Sequence, residues 1–408
     1  MNTHRDLIII NIAAFLRSFG VGLMGVVLGI YLSRYGYSAF EIGAVIATGL
    51  AGAALATTAV GFTADRVGRK RSLFVLSTLS GLGGLALYTL PKFPALLAMV
   101  LVAMLNATGT ERSPMFALEQ AVIPGLGTDA RRTWNLAFYN VLIDGGGSLG
   151  ALCAGLPLML QHHFDFPLLH AYQLLFVGYS GLYLIVGGLY LLLSPAVEVK
   201  MASTPEHAER ISPTTKRIIG KLTALFSLDS FGGGFLTDAL VSYWFFRRFG
   251  LSEHDLGLVF FVVHLLNAFS HLVAAWLARR IGLVNTMVFT HLPSSLLLMA
   301  VPFAPSAKLA ILLFFAREAL VEMDVPTRQS YVAALVAPNE RSFASAVTNI
   351  ARNVCWAIGS ALAGVLMQNV AFSAPLVVGG STKIGYDLLL YRSFSSIKPP
   401  EEERSAPQ

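Results

Sequence analysis

The stretch GFTADRVGRKRSL, residues 61–73, sets one acid and four cations between two long apolar runs, with glycines at Gly61 and Gly68. A helix needs about 20 apolar residues to cross the hydrocarbon of a bilayer. The runs flanking this turn, 39–64 and 72–91, are long enough to do so, which makes the turn a short loop between two membrane spans. Reading outward gives further spans near 7–31, 94–123, 133–158, 170–194, 217–248, 254–278, 283–303, 307–336, 341–369 and 374–392, twelve in all. The last is the weakest, because Lys383 and Asp387 interrupt it. The run from Leu7 to Tyr31 is too long for the apolar part of a signal peptide and reads as a retained span.

Composition agrees with this reading. Only 13% of the 408 residues are charged and 55% are hydrophobic, whereas soluble domains carry about a quarter charged residues. In a soluble chain a net charge of +6 would suggest nucleic acid. Here the basic residues sit between apolar runs, so the expected partner is the lipid bilayer and no nucleic acid. Placing both termini in the cytoplasm puts seventeen basic residues inside, among them Arg66, Arg69, Lys70, Arg71, Arg131, Arg132, Arg279 and Arg280. Five fall outside: Arg34, Lys92, Arg247, Arg248 and Lys308. That bias fixes the expected orientation. The two cysteines, Cys153 and Cys355, lie in apolar runs and imply no disulfide framework.

The longest polar interruption, near 195–216, separates two groups of six spans that repeat each other. At an offset of 214, RYGYSAFEIG (34–43) lies over RFGLSEHDLG (248–257), matching Gly36 with Gly250, Ser38 with Ser252, Glu41 with Asp255 and Gly43 with Gly257. The same offset puts Arg66 on Arg280 and Gly68 on Gly282. At an offset of 209, Arg132, Asn140, Gly150, Ala154 and Gly155 meet Arg341, Asn349, Gly359, Ala363 and Gly364. Six spans per unit make the halves parallel repeats. The expected organisation is an N-terminal bundle (1–194), a cytoplasmic linker (195–216), a C-terminal bundle (217–392) and a cytoplasmic tail (393–408).

The charged turn, the parallel repeat and the polar central loop together resemble the major facilitator superfamily over essentially the whole chain. Its signature loop, Gly-x-x-x-Asp-Arg-x-Gly-Arg-Arg/Lys, is matched here by Gly61, Asp65, Arg66, Gly68, Arg69 and Lys70. The resemblance implies an all-α fold of twelve spans in two six-helix bundles, with spans one, four, seven and ten around a central cavity. It also implies a conformational latch, in which Asp65 faces the N-terminus of span eleven near Ser342 and Arg69 pairs with Glu119. A carboxylate at a helix N-terminus suits the macrodipole. The second-half copy is degenerate, with Ala275 for the glycine and Arg279 for the acid. In span five, GGSLGALCAG (146–155) is similar to an antiporter signature but lacks its proline. Gly146, Gly150 and Gly155 remain, and small residues so spaced permit close helix packing against the second span.

Ionisable groups at bilayer depth are costly and demand a partner or a wet cavity. Asp144, Asp229, Asp238, Glu318 and Glu322 are the proton-coupling candidates, Glu322 foremost because it lies mid-span with Glu318 one turn away. Arg17, Glu111, Arg112, Arg317 and Arg352 are candidates for the substrate cavity. Arg17 is the lone charge of its span, expected to meet an anionic solute or an acid of span five or seven. Asp324 and Arg328, four apart, are expected to neutralise each other, and Pro326 to kink span ten. His264 and His271 read as packing histidines.

No Walker-type phosphate loop, nucleophile elbow or cysteine–histidine metal spacing is present, so neither ATP-driven transport nor enzymatic chemistry has support, and no metal or cofactor is expected. The sequence reads as a secondary transporter of a small organic solute, coupled to protons. Export by antiport is favoured over uptake of an anionic solute, and a transporter-like sensor would need an output domain for which no loop is long enough. A monomer in a bacterial inner membrane is expected.

Overall fold

The computed structural model describes residues 2–90, 92–126, 129–198, 213–335 and 341–395. The expected linker lies outside the described residues over 199–212, and the expected tail over 396–408. The described residues form helices and no strand: α1 (Asn2–Arg34), α2 (Ala39–Val67), α3 (Arg69–Thr89), α4 (Phe93–Ala103), α5 (Pro114–Val122), α6 (Asp129–Leu152), α7 (Leu156–Phe164) and α8 (Leu168–Leu191). They continue with α9 (Pro213–Gly234), α10 (Asp238–Phe249), α11 (Glu253–Ile281), α12 (Leu283–Ala300), α13 (Ala307–Val321), α14 (Asp324–Leu335), α15 (Arg341–Asn369) and α16 (Ala374–Phe394). Eight stretches of described helix are long and apolar enough to cross a membrane.

Several expected spans are broken. Span four, read as continuous over 94–123, is interrupted between α4 and α5, where Met104 turns left-handed (φ 53°) and Gly109 takes φ 81°. The cause is local chemistry. Asn106 Oδ1 accepts from the Thr108 N–H (3.0 Å) and hydroxyl (2.8 Å), and its Nδ2 donates to the Thr110 carbonyl (2.9 Å). Short polar side chains that bond the nearby backbone compete with the helix ladder. The helix resumes at Ser113-Pro114, where the Ser113 hydroxyl accepts from the Phe116 N–H and proline occupies the first turn.

Span seven breaks between α9 and α10, and the new N-terminus does not go unsatisfied: the Ala239 N–H donates to the Ala107 carbonyl in the unwound part of span four (3.2 Å). Span ten breaks at Glu322–Met323. Pro326 has no N–H for the Glu322 carbonyl, which instead accepts from Val325 at 3.3 Å. The last span, despite Lys383 and Asp387, is an unbroken helix that buries both.

By contact the chain groups into two units, Met1–Glu206 with Thr237–His264, and His207–Leu236 with Leu265–Gln408. In the first, α1 packs on α6 and α10, α3 on α8, and α2 on α4. In the second, α9 packs on α15 and α16, and α12 on α13, α14 and α16. Lipid tails are as apolar as leucine, so helices in a bilayer associate by close packing rather than by escape from water. The glycines show where. A Cβ built on Gly146 would stand 2.4 Å from the Phe15 carbonyl oxygen, and one on Gly150 1.9 Å from that of Phe19. These two glycines therefore pack on α1, the first span, and not on the expected second. In the other unit Gly359, the repeat partner of Gly150, would stand 2.3 Å from the Phe231 oxygen on α9.

The repeat is visible in local geometry as well. Ser38 with Glu41 and Ser252 with Asp255 form reciprocal capping pairs at the starts of α2 and α11. Gly68 (φ 104°) and Gly282 (φ 88°) make the matching left-handed turns after those helices.

Gly150→Ala should lower the unfolding temperature of the purified protein by the equivalent of about 2–3 kcal/mol, because backbone on α1 cannot yield as a side chain can. Gly178→Ala, where an added Cβ meets nothing within 4 Å, should leave it unchanged.

Candidate functional site

Charge is gathered at three places, the first being the turn of residues 61–73. Asp65 accepts from Arg69 Nε at 2.8 Å, an i,i+4 pair whose carboxylate is mostly exposed. The N-terminus of α3 is capped by a residue the sequence reading overlooked: the Glu198 carboxylate accepts from the backbone N–H groups of Arg69 (2.7 Å) and Lys70 (3.2 Å). Lys70 Nζ donates to the Leu193 carbonyl (2.9 Å). An anion at a helix N-terminus satisfies orphan donors and the macrodipole together. A Cβ built on Gly61 meets nothing within 4 Å among the described residues. The side chain of Ser342, the expected counterpart of Asp65, lies outside the described residues.

The second place is the interior of the first unit. Arg17 on α1 is fully buried, and its Nη2 donates to Glu119 on α5 at 2.7 Å. The expected pairing of Glu119 with Arg69 is therefore corrected, as is the expectation that an acid of span five or seven would meet Arg17. Glu119 also accepts from the hydroxyls of Tyr139 (2.6 Å) and Tyr190 (2.7 Å), and Tyr190 in turn bonds Arg17. Glu111 lies 3.8 Å from Arg17 Nε and accepts from the Ser113 N–H at 3.0 Å. Arg112 points its Nε to the Thr110 hydroxyl (3.0 Å) and is half-buried, as is Asp144 on α6. Asp238 opens α10 and approaches His264 Nε2 at 3.6 Å. At the end of α1, Arg34 forms a two-point pair with buried Glu253 at the start of α11 (2.9 and 3.1 Å), and Tyr172 bonds the same carboxylate.

The third place is the interior of the second unit. Asp229 on α9 accepts from Lys383 Nζ on α16 (2.8 Å) and from Arg328 on α14 (3.2 Å), and Arg328 also bonds Asp324 at 2.7 Å, as the i,i+4 spacing suggested. Lys383 reaches His291 Nε2 on α12 at 3.3 Å, and His291 Nδ1 lies 2.9 Å from Asp387. His291 Nε2 also lies 3.7 Å from Asp229, so the ring bridges two carboxylates. Arg352 on α15 donates to the Ser230 hydroxyl beside Asp229 (2.9 Å). Three carboxylates thus face three cations and an imidazole. The sequence reading missed Lys383, Asp387 and His291. The available signal was the i,i+4 spacing of Lys383 and Asp387, which puts both on one face of α16.

Of the remaining candidates, Glu318 pairs with adjacent Arg317 and is buried. Glu322 is the C-cap of α13 at the break in span ten, half-buried, with no side-chain hydrogen bond or ion pair among the described residues. Arg317 pairs with Glu318, and Arg328 bonds Asp229 and Asp324.

A sequence model of the Major Facilitator Superfamily matches residues 10–321 and 222–408. The chain belongs to the Major Facilitator Superfamily. It is 25% identical over 424 residues to an uncharacterized membrane protein of Saccharomyces cerevisiae, YJR124C, covering 96% of this chain and 95% of that one. The fold is similar to that of a D-xylose–proton symporter (TM-score 0.77, 14% identity, all of both chains). It is also similar to that of the nucleoside transporter NupG (TM-score 0.73, 15% identity, 95% of this chain and 99% of that one). The protein is an integral multi-pass membrane transporter of this superfamily, not an enzyme.

In such a bundle a buried pair that loses one partner leaves a bare charge in a medium that cannot solvate it. Lys383→Met should therefore cost about 3–5 kcal/mol of stability. The double variant Asp229→Asn/Lys383→Met should recover most of the loss, read as unfolding temperature in detergent.

Proposed function

We propose that this superfamily member is a proton-coupled secondary transporter that moves a small organic solute by alternating access. The observation that carries the coupling is Glu322, a half-buried carboxylate without a bonded partner among the described residues, placed where span ten is unwound. Non-helical backbone at membrane depth belongs where it is buried in protein or lines a wet cavity, and such breaks attend ion and substrate sites in transporters. Glu318, Asp229, Asp238 and Asp144 stand behind it. Asp229 is less suited, since its two oxygens are already held by cations.

The proposal includes twelve spans in two six-helix bundles (1–194 and 217–392), both termini in the cytoplasm, a bacterial inner membrane and a monomeric working unit. Closure on the side of the α1 C-terminus is assigned to the Arg34–Glu253 pair, and the opposite side to the 61–73 latch. Export by proton antiport is the favoured direction, on the small-residue pattern of span five. Uptake of an anionic solute is the second reading, favoured by half-buried Arg112 and Arg352.

Purified protein in liposomes, given an imposed proton gradient and a panel of small organic solutes, tests the reading. Glu322→Gln keeps the shape and removes titration, so solute binding should persist while gradient-driven accumulation falls to background. Accumulation at the wild-type rate would move the proton site elsewhere. Asp65→Asn should slow turnover at unchanged expression and unfolding temperature, since an exposed carboxylate in the last turn of α2 contributes little to packing. Wild-type turnover would remove the latch.

A further inference from the structure

Two cavities of the first unit meet end to end along α3 and α8. One, of about 610 Å³, opens at the α1 C-terminal end, between the α1–α2 turn, the end of α3 and the start of α4. Tyr35, Tyr37, Tyr88 and Phe93 line it, together with Glu41 and Gln173. The other, of about 320 Å³, is a groove between α3 and α8, running from Thr78 to Tyr88 on one side and from Val177 to Leu184 on the other. Tyr88 belongs to both.

The groove presents hydrocarbon. α3 and α8 come together at Gly84, where an added Cβ would stand 2.3 Å from the Phe176 carbonyl oxygen. Leu82, Leu85, Val177 and Leu184 flank that contact as walls, between 37% and 57% exposed. Its two hydroxyls are spent on helix backbone: Thr78 donates to the Phe74 carbonyl (2.9 Å) and Ser180 to that of Gly81 (2.8 Å). Its length decides what fits. Thr78 to Tyr88 is about 15 Å of helix, half of the roughly 30 Å hydrocarbon thickness of a bilayer. A groove that crosses one leaflet and ends in a polar cavity matches an acyl chain and its head group.

The lining sets the charge of that head. Among the described residues Glu41 is the one charged side chain there, and no Lys, Arg or His lines the cavity. Glu41 Oε2 accepts from the Ser38 N–H (2.8 Å) and hydroxyl (2.9 Å), while its Oε1 makes no hydrogen bond among the described residues. A free carboxylate oxygen among aromatic rings suits an ammonium group, which donates to the oxygen and is attracted to the ring faces. Exposed Lys92, next in the chain to Phe93, offers a counter-charge for a phosphate.

We propose that the paired cavity and groove hold one phospholipid with a primary-ammonium head, phosphatidylethanolamine, its head beside Glu41 and one acyl chain between α3 and α8. The site lies apart from the buried charge clusters and does not rest on the ion-coupled reading of transport.

Native mass spectrometry of the full-length protein, released from detergent carrying defined dioleoyl lipids, tests the site. Phosphatidylethanolamine should bind about tenfold more tightly than phosphatidylcholine, which has no N–H for Glu41, and more tightly than phosphatidylglycerol, which has no ammonium. Glu41→Gln preserves the cap of α2, since glutamine serves in a capping box, and should bring phosphatidylethanolamine down to the level of phosphatidylcholine at an unchanged lipid-free unfolding temperature. Val177→Trp, on the exposed wall of the groove, should weaken all three lipids alike. Should the Glu41 variant not fold, the wild-type preference and the Val177 variant carry the test. Equal binding of the three lipids, tighter binding of phosphatidylglycerol, a Gln variant that keeps the preference, or a Trp variant that binds as wild type would overturn the proposal. So would phosphoethanolamine, the head without chains, competing at the concentration of the lipid.

Discussion

The need to neutralise charge inside a low-dielectric bundle governs this structure more than any other constraint. Apolar contacts supply little net attraction between helices already surrounded by hydrocarbon. What fixes which helix meets which is backbone-to-backbone approach at glycines, together with the few buried polar groups that must find partners. In the second unit Asp229 draws α14 and α16 together through Arg328 and Lys383. His291 extends the chain of bonds to α12. In the first unit Arg17 ties α1 to α5 and, through Tyr139 and Tyr190, to α6 and α8.

The two clusters answer the same constraint differently. In the second unit Asp229, Asp324 and Asp387 join Arg328, Lys383 and His291 in one bonded network, as a strut does. In the first unit Arg17 meets Glu119 and Glu111, and the hydroxyls of Tyr139 and Tyr190 complete the shell of Glu119. Helix breaks stand next to the charges least well served: Glu111 ends the unwound part of span four, and Glu322 caps the first half of span ten. An unwound segment can rearrange where an intact helix would have to move as a rod, which is what a site exposed to one side and then the other requires.

Much of the fold was legible in the sequence because membrane helices are long and apolar, and the repeat preserves capping residues and turn glycines that have strict conformational reasons. Ser38/Glu41 and Ser252/Asp255 align at the repeat offset and form the same reciprocal caps, and Gly68 and Gly282 share a backbone that only glycine adopts freely. The helix breaks were harder to see. Residues 106–114, NATGTERSP, combine Asn, Thr and Gly with a Ser-Pro start signal, but a hydropathy window averages them into their apolar flanks. Charge partners were the least legible. Arg17 and Glu119 lie 102 residues apart, and Asp229 and Lys383 154 apart, so no local spacing records them. Glu198 escaped notice for the same reason, capping α3 from the far end of α8.

The central claim, carriage of a solute driven by an ion gradient, is tested most directly by electrical recording from reconstituted protein on a solid-supported membrane. Solutes are added by rapid exchange without any nucleotide. A transported solute should evoke a transient current that reverses with the imposed proton or sodium gradient and is abolished when that gradient is collapsed. Solute movement that persists at full rate after the gradients are collapsed, with no accompanying charge displacement or pH change, would contradict the account.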